Sequence, residues 1–338
     1  MPWFTSVVRT SDIFDLLRDG RPRTRAQLAE TTGLARSTVA ARVEVLMKLG
    51  LIAPYGDARS TGGRPPSLFA LNPSVRVVAA VDVGATHAVV VLCDLSGAVL
   101  AETRSALDIA LGPDAVLGWV TTTIAELLVQ AKRPEADLAA IGIGLPGPVE
   151  HSTGRPINPP IMPGWDRYDV PGHVQRTYPV PVLIDNDVNI MALGEQQTHL
   201  RDVDDLVFIK VATGIGAGII SGGALQRGAQ GTAGDLGHVR VVRGEGVICR
   251  CGNEGCLEAV AAGPALAARL RAAGHEVSST QDVVDLVRSG DVAAIQEIRQ
   301  AGRDIGEVVA TMVNLINPSV VVIGGRLADS GEHLLVTD

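Results

Sequence analysis

The texture of this chain changes once, at Asn72-Pro73. Before that point, apolar residues recur at helical spacing in short stretches. After it, β-branched runs alternate with longer helix-periodic stretches. Such a chain is expected to fold as a small, mainly helical module ahead of an α/β body. The boundary divides it into residues 1–75 and 76–338. Aromatic residues make up 3% of the sequence, so the core has to be built from Ala, Val, Leu and Ile.

Charge divides at nearly the same place. Residues 1–76 hold 11 of the 29 Lys and Arg but 6 of the 37 acids, which leaves +5 there and −13 on the rest. A basic head on an acidic body implies that only the head meets a polyanion. The sequence has no apolar run of membrane-spanning length and no signal-peptide pattern. Three of its four cysteines lie within residues 249–256, which fits a metal in a reducing compartment better than a disulfide framework. The expected location is the cytoplasm.

In the head, Ile13, Leu16 and Leu17 mark one face of a helix. Thr24-Arg-Ala-Gln27 is a capping box, with Thr at the N-cap and Gln at N3, opening a helix that runs to Thr32. Gly33 supplies a tight turn, and Val39, Val43, Leu46 and Leu49 predict a second helix over residues 36–49. Helix, glycine turn and helix make a helix-turn-helix. Gly50-Leu-Ile52 and Leu68–Leu71 read as wing strands joined by Ser60-Thr-Gly-Gly-Arg-Pro-Pro66. In such a motif the start of the second helix meets base edges, which nominates Arg36, Ser37, Thr38 and Arg42. Arg64 in the wing is placed to enter the minor groove. Ala35, a poor N-cap, departs from the pattern. The bland alternative is a helical dimerisation module with solvated arginines.

In the body, Val77–Val83, Ala88–Asp94, Ala98–Ser105, Ala139–Gly144, Val182–Asp185, Leu206–Ala212, Gly216–Ser221 and Val320–Ile323 read as strands. Residues 113–131, 187–197, 257–272 and 292–316 read as helices. Polar groups cluster at strand ends, where ligands of α/β sheets bind. The loops Asp82-Val-Gly-Ala-Thr86 and Thr213-Gly-Ile-Gly216 can offer N–H groups to phosphate, although small residues in hairpin turns need no ligand. Asp185-Asn-Asp187 stands at a strand-to-helix junction. There Asp187 is either a cap or a carboxylate that binds, or deprotonates, a hydroxyl. His238, Cys249, Cys251 and Cys256 supply four ligands, enough to close a tetrahedral structural Zn²⁺ site, with Asp235 and Glu258 beside them. Cys93, inside an apolar strand, reads as a buried small hydrophobe.

Together these motifs resemble the ROK family of repressors and sugar kinases, in its repressor branch. The resemblance spans nearly the whole chain. It rests on Asp82–Thr86, Gly144–Pro148, Asn158–Trp165, Asp185–Glu195, Thr213–Gly218, Gly234–His238 and the cysteine segment. It implies a two-lobed body of the actin, Hsp70 and hexokinase type behind a winged helix-turn-helix. It also implies roles. Asn186, Asp187, Asp235, His238 and Glu258 would bind a sugar, and Asp187 would be the base if the protein were a kinase. Asp82, Gly84, Thr86, Thr213, Gly214 and Gly216 would line a Mg-ATP site. His238 and the three cysteines would hold zinc, with one ring nitrogen of His238 on the metal and the other toward the sugar. Three departures stand out: Asp235 where kinases carry Glu, His87 where they carry Lys or Asn, and a longer spacing from His238 to Cys249. The family continues after Gly324-Gly-Arg326 with further helix and strand, so the resemblance also implies truncation at Asp338.

The expected function is therefore a sugar-responsive repressor that binds operator DNA as a homodimer or tetramer. The alternatives are an ATP-dependent sugar kinase with an accessory head, and a DNA-binding protein whose body serves only as a dimerisation scaffold.

Overall fold

The computed structural model describes residues 10–57 and 65–331. Arg64 and most of the wing connection expected at Ser60–Pro66 lie outside the described residues.

The head comprises α1 (Thr10–Leu17), β1 (Arg23–Thr24), α2 (Arg25–Thr32), α3 (Arg36–Lys48), β2 (Ile52–Asp57) and β3 (Ser67–Leu71). The capping box forms as expected. Thr24 Oγ1 accepts the Gln27 N–H at 3.2 Å, and Gln27 Oε1 accepts the Thr24 N–H at 2.9 Å. Gly33 adopts φ +69°, a left-handed conformation that ends α2 and turns the chain into α3. Ala35 gives α3 no side-chain cap. Ile13, Leu17, Leu28, Val39, Val43, Leu46, Ile52 and Phe69 form one small core, so the helical spacing read from the sequence is the spacing that packs. β1 was not expected; it pairs with β3, giving a three-stranded sheet in the order β1-β3-β2. Arg25 ties α2 to α3 through Glu44 at 2.8 Å, with its guanidinium 4.5 Å from the Phe69 ring centre.

The body forms two lobes. Lobe one holds β4 (Val77–Val83), β5 (His87–Asp94), β6 (Val99–Ala106), α4 (Pro113–Gln130), β7 (Leu138–Leu145), the short pair β8 (Val149–Glu150) and β9 (Arg155–Pro156), α5 (Val170–Gln175) and β10 (Val182–Asn186). Its sheet runs β10-β7-β4-β5-β6. β4 is antiparallel to β5 and parallel to β7, which is in turn parallel to β10. Its core centres on fully buried Ile141, Ile143, Leu117, Ile124 and Trp165, and the Trp165 indole N–H donates to Ile109 O at 3.1 Å.

Next come α6 (Asp187–Thr198), β11 (Leu206–Val211), β12 (Ile215–Ser221), β13 (Ala224–Gln226), α7 (Leu257–Ala261), α8 (Gly263–Ala272), α9 (Thr280–Arg288), α10 (Val292–Ile316) and β14 (Val320–Gly324). The lobe-two sheet runs β13-β12-β11-β14, with β11 antiparallel to β12 and parallel to β14. This repeats the arrangement β6-β5-β4-β7 of lobe one. On β11, Val207, Ile209 and Val211 face the core built by α7 to α10. Leu206 and Phe208 face α6.

One helix expected from the sequence is two. Residues 257–272 break at Ala262, which is extended at φ −78° and ψ 160°. In a continuous helix the Pro264 ring would clash with the carbonyl four residues back, and proline suits the first turn that it occupies in α8. α5 and α9 had not been expected. α9 opens on a second capping box, Ser279 with Asp282.

Candidate ligand cleft and metal cluster

A cleft of about 410 Å³ opens between the lobes. β10 and the start of α6 supply Asn186 and Asp187, the β11–β12 loop supplies Thr213 and Gly214, and the start of β12 supplies Gly216. Asp235, His238 and Glu258 complete the wall. The residues expected to meet a sugar are thus brought together although the chain separates them by 72 positions. Of the first glycine loop, Ala85 lines the cleft; Asp82, Gly84 and Thr86 do not. A Cβ at Gly84 would collide with the His87 ring, so that imidazole lies against the loop backbone. His87 Nε2 is 3.8 Å from Asp82 Oδ2.

The polar groups are already engaged with one another. Asn186 caps α6, its Oδ1 accepting the Val188 N–H at 3.0 Å, while its Nδ2 donates to Gly147 O at 2.9 Å. Glu258 Oε2 accepts the Ile215 N–H at 3.1 Å, which uses one donor of the second glycine loop. Asp187 is buried and accepts a charge-assisted hydrogen bond from the Lys210 ammonium. Burial pushes the Asp187 carboxyl above the ordinary aspartate range. The Lys210 charge opposes that rise, and the nearby Asp82 charge adds to it. Burial likewise raises Asp235, with His238 pulling the other way.

Sequence reasoning missed Lys210, although it is the one charge in the apolar run Leu206–Ala212, and that was a readable signal. It also missed Arg227, whose Nε lies 2.8 Å from Asp185 Oδ2. Asp185 is buried and its other oxygen accepts from Asn189 Nδ2 at 2.8 Å, so Asp185 holds the β10–α6 junction in place.

Beside the cleft, one ligand atom each from His238, Cys249, Cys251 and Cys256 lies within 4.8 Å of the others. Cys251 Sγ is 3.7 Å from Cys256 Sγ, and His238 Nδ1 is 3.8 Å from Cys249 Sγ. Bonds of roughly 2.3 Å to sulfur around a tetrahedral ion set the sulfurs roughly 3.8 Å apart, so the donor set fits such an ion. Burial and the neighbouring Cys251 push the Cys256 thiol up to about 12, which means the cluster resists multiple negative charges unless a cation is supplied. The other ring nitrogen, His238 Nε2, is 3.9 Å from Asp235 Oδ1 on the cleft side.

On the head, Arg36 and Ser37 are exposed and Thr38 is half-buried at the start of α3, and Arg42 is half-buried at its middle.

The sequence profile of the ROK family matches residues 78–337, and that of the IclR helix-turn-helix domain matches residues 6–54. The chain belongs to the ROK family. It is similar to the xylose repressor of Bacillus subtilis, with 29% identity over 315 residues, 93% of this chain and 81% of that one. Among solved structures, a ROK family transcriptional regulator described as a homolog of the E. coli MLC protein superposes with a TM-score of 0.83. Its identity is 27%, covering 97% of this chain and 85% of that one. The ROK family glucokinase of Streptomyces griseus, solved with glucose and AMPPNP, gives a TM-score of 0.66 at 27% identity, covering 77% of this chain and 86% of that one. Both the two-lobed hexokinase-like body and the helix-turn-helix head of this ROK protein are therefore shared with known relatives. No helix among the described residues is long and apolar enough to cross a membrane.

Proposed function

We propose that this ROK protein is a sugar-responsive repressor that binds operator DNA through its head and a sugar or sugar derivative in the interlobe cleft. The observation that carries the reading is the joining, in one chain, of a helix-turn-helix head to a body with a polar interlobe cleft, in a sequence similar over 93% of its length to a xylose repressor. Arg36, Ser37, Thr38 and Arg42 would meet base edges and phosphates. Two heads in a homodimer would address half-sites about one DNA turn apart. The ligand would act by binding two lobe arrangements with unequal affinity.

In this reading His238, Cys249, Cys251 and Cys256 hold one structural zinc. The ion would neutralise the thiolates and pin residues 238–256 as one wall of the cleft. Asn186 and Asp187 form the facing wall, with Asp235 and Glu258 beside the metal loop.

The buried Asp187 carboxylate keeps a second reading, a Mg-ATP-dependent sugar kinase. Three observations weigh against it. Lys210 engages the would-be base, the His87 ring lies on the first glycine loop, and Glu258 takes an N–H of the second.

Footprinting upstream of the protein's own gene tests the repressor reading. A protected site that is released by sugar and lost in Arg36→Ala supports it. Absence of any footprint, together with ADP release in the presence of sugar, would favour the kinase.

A further inference from the structure

We propose that Lys210 is a specificity-determining residue of the cleft: with Asp187 it forms a donor–acceptor pair that reads two neighbouring oxygens of a polyhydroxyl ligand. This rests on the reading of the cleft as a sugar site. The placement follows from strand alternation. Leu206 and Phe208 are buried against α6, and Lys210 is the next residue on that face, where β11 reaches the cleft. Its cross-strand neighbours are Gly216 on β12 and Gly324 on β14, so no side chain beside it blocks its path to Asp187.

The pair has little to offer stability. The Lys210 side chain is 22% exposed and that of Asp187 is 8%, so both charges lose water. The ammonium also sits by the N-terminus of α6, the helix end that disfavours cations. What the pair does provide is directed polarity. The ammonium has three N–H donors, and Asp187 is the acceptor found for it among the described residues. The Asp187 carboxylate also meets the Val188 backbone N–H, and among the described residues Lys210 is the side chain hydrogen-bonded to it. A ligand hydroxyl that donates to Asp187 and a neighbouring oxygen that accepts from Lys210 would complete both groups.

The test is titration calorimetry on the full-length protein with D-glucose, D-xylose and the monodeoxy analogues of each, comparing wild type with Lys210→Met. Wild type should bind a parent sugar and lose about tenfold or more when one particular hydroxyl is removed, the scale of a hydrogen bond to a charged group. Lys210→Met should bind the parent about tenfold more weakly and show less than about a threefold penalty for that same deoxy sugar. Unchanged affinity in Lys210→Met, or an unchanged deoxy penalty, overturns the proposal. If wild type binds neither parent, nor any sugar of a wider panel of pentoses, hexoses and N-acetylhexosamines, the sugar reading itself falls and takes this inference with it. Far-UV circular dichroism and a cooperative melt of Lys210→Met control for folding; should that variant not fold, Lys210→Leu, which also lacks a donor, takes its place with the same expected outcomes.

Discussion

The two lobes are built on one plan and end on opposite charges. In lobe one, Asp82 is the penultimate residue of β4 and lies beside Gly144 of the parallel strand β7. In lobe two, Lys210 is the penultimate residue of β11 and lies beside Gly324 of the parallel strand β14. The repeat therefore sets an acid and a base at matching places, and Asp187, at the start of α6, interacts with both. The lobes also differ in how their cleft walls are held. Both lobes are filled by large apolar cores, but lobe two adds on its side of the cleft a loop that brings His238 and three cysteines together. A repeated topology thus supplies positions, and the individual side chains decide what the cleft between them does.

Removing metal should break the comparison most sharply. Dialysis against a chelator, or Cys251→Ser, is expected to take zinc from one per chain to none and to raise hydrogen exchange in residues 238–258. Exchange in β4 and β5 of lobe one should stay unchanged. Structural zinc contributes about 10 kcal/mol or more in small domains, the upper end of what such a loop could lose. Uniform loosening of both lobes would refute the separation.

Trp165→Ala comes next. It empties a fully buried site in lobe one and should cost about 3–5 kcal/mol by denaturant unfolding. Its zinc content should stay at wild-type level.

The charge pair gives a smaller effect with a pH signature. Lys210→Met should cost about 1–3 kcal/mol, because it leaves the buried Asp187 carboxylate unpaired and not because the pair itself adds net stability. Burial raises the folded pKa of Asp187 above its unfolded value. Such a carboxyl favours the folded state below the ordinary aspartate range and costs stability as pH rises through its folded pKa. Lys210 offsets that cost. The melting-temperature gap between wild type and Lys210→Met should therefore be small in acid and widen toward neutral pH. A gap independent of pH would show that the two groups are not coupled.

The smallest expected change is Ser279→Ala at the start of α9, about 1 kcal/mol. The Asp282 carboxyl in that capping box is held down to about 2 by the Ser278 backbone and side chain. Its contribution is present at neutral pH and fades as pH falls from the ordinary aspartate range toward that value.

Much of the molecule was legible in the sequence because its signals are local. The Thr24–Gln27 box, the Gly33 turn and the Val39–Leu46 spacing each act within a few residues, and all three appear in the head. Val77–Val83 reads as a strand and is one. The break at Ala262 was also local, and Pro264 should have announced it. α9 was harder: its helix is short, although Ser279 and Asp282 cap it clearly.

By itself the sequence determined the order of head and body, the alternation of strand and helix, and the grouping of a histidine with three cysteines. Propensity, periodicity and ligand spacing act over short distances along the chain. Only the tertiary structure decided that Lys210 reaches Asp187 across 23 residues and that Glu258 takes the Ile215 N–H across 43. Those contacts join segments far apart in the chain. They depend on which face of a strand packs inward and where two lobes meet, and no local pattern encodes either.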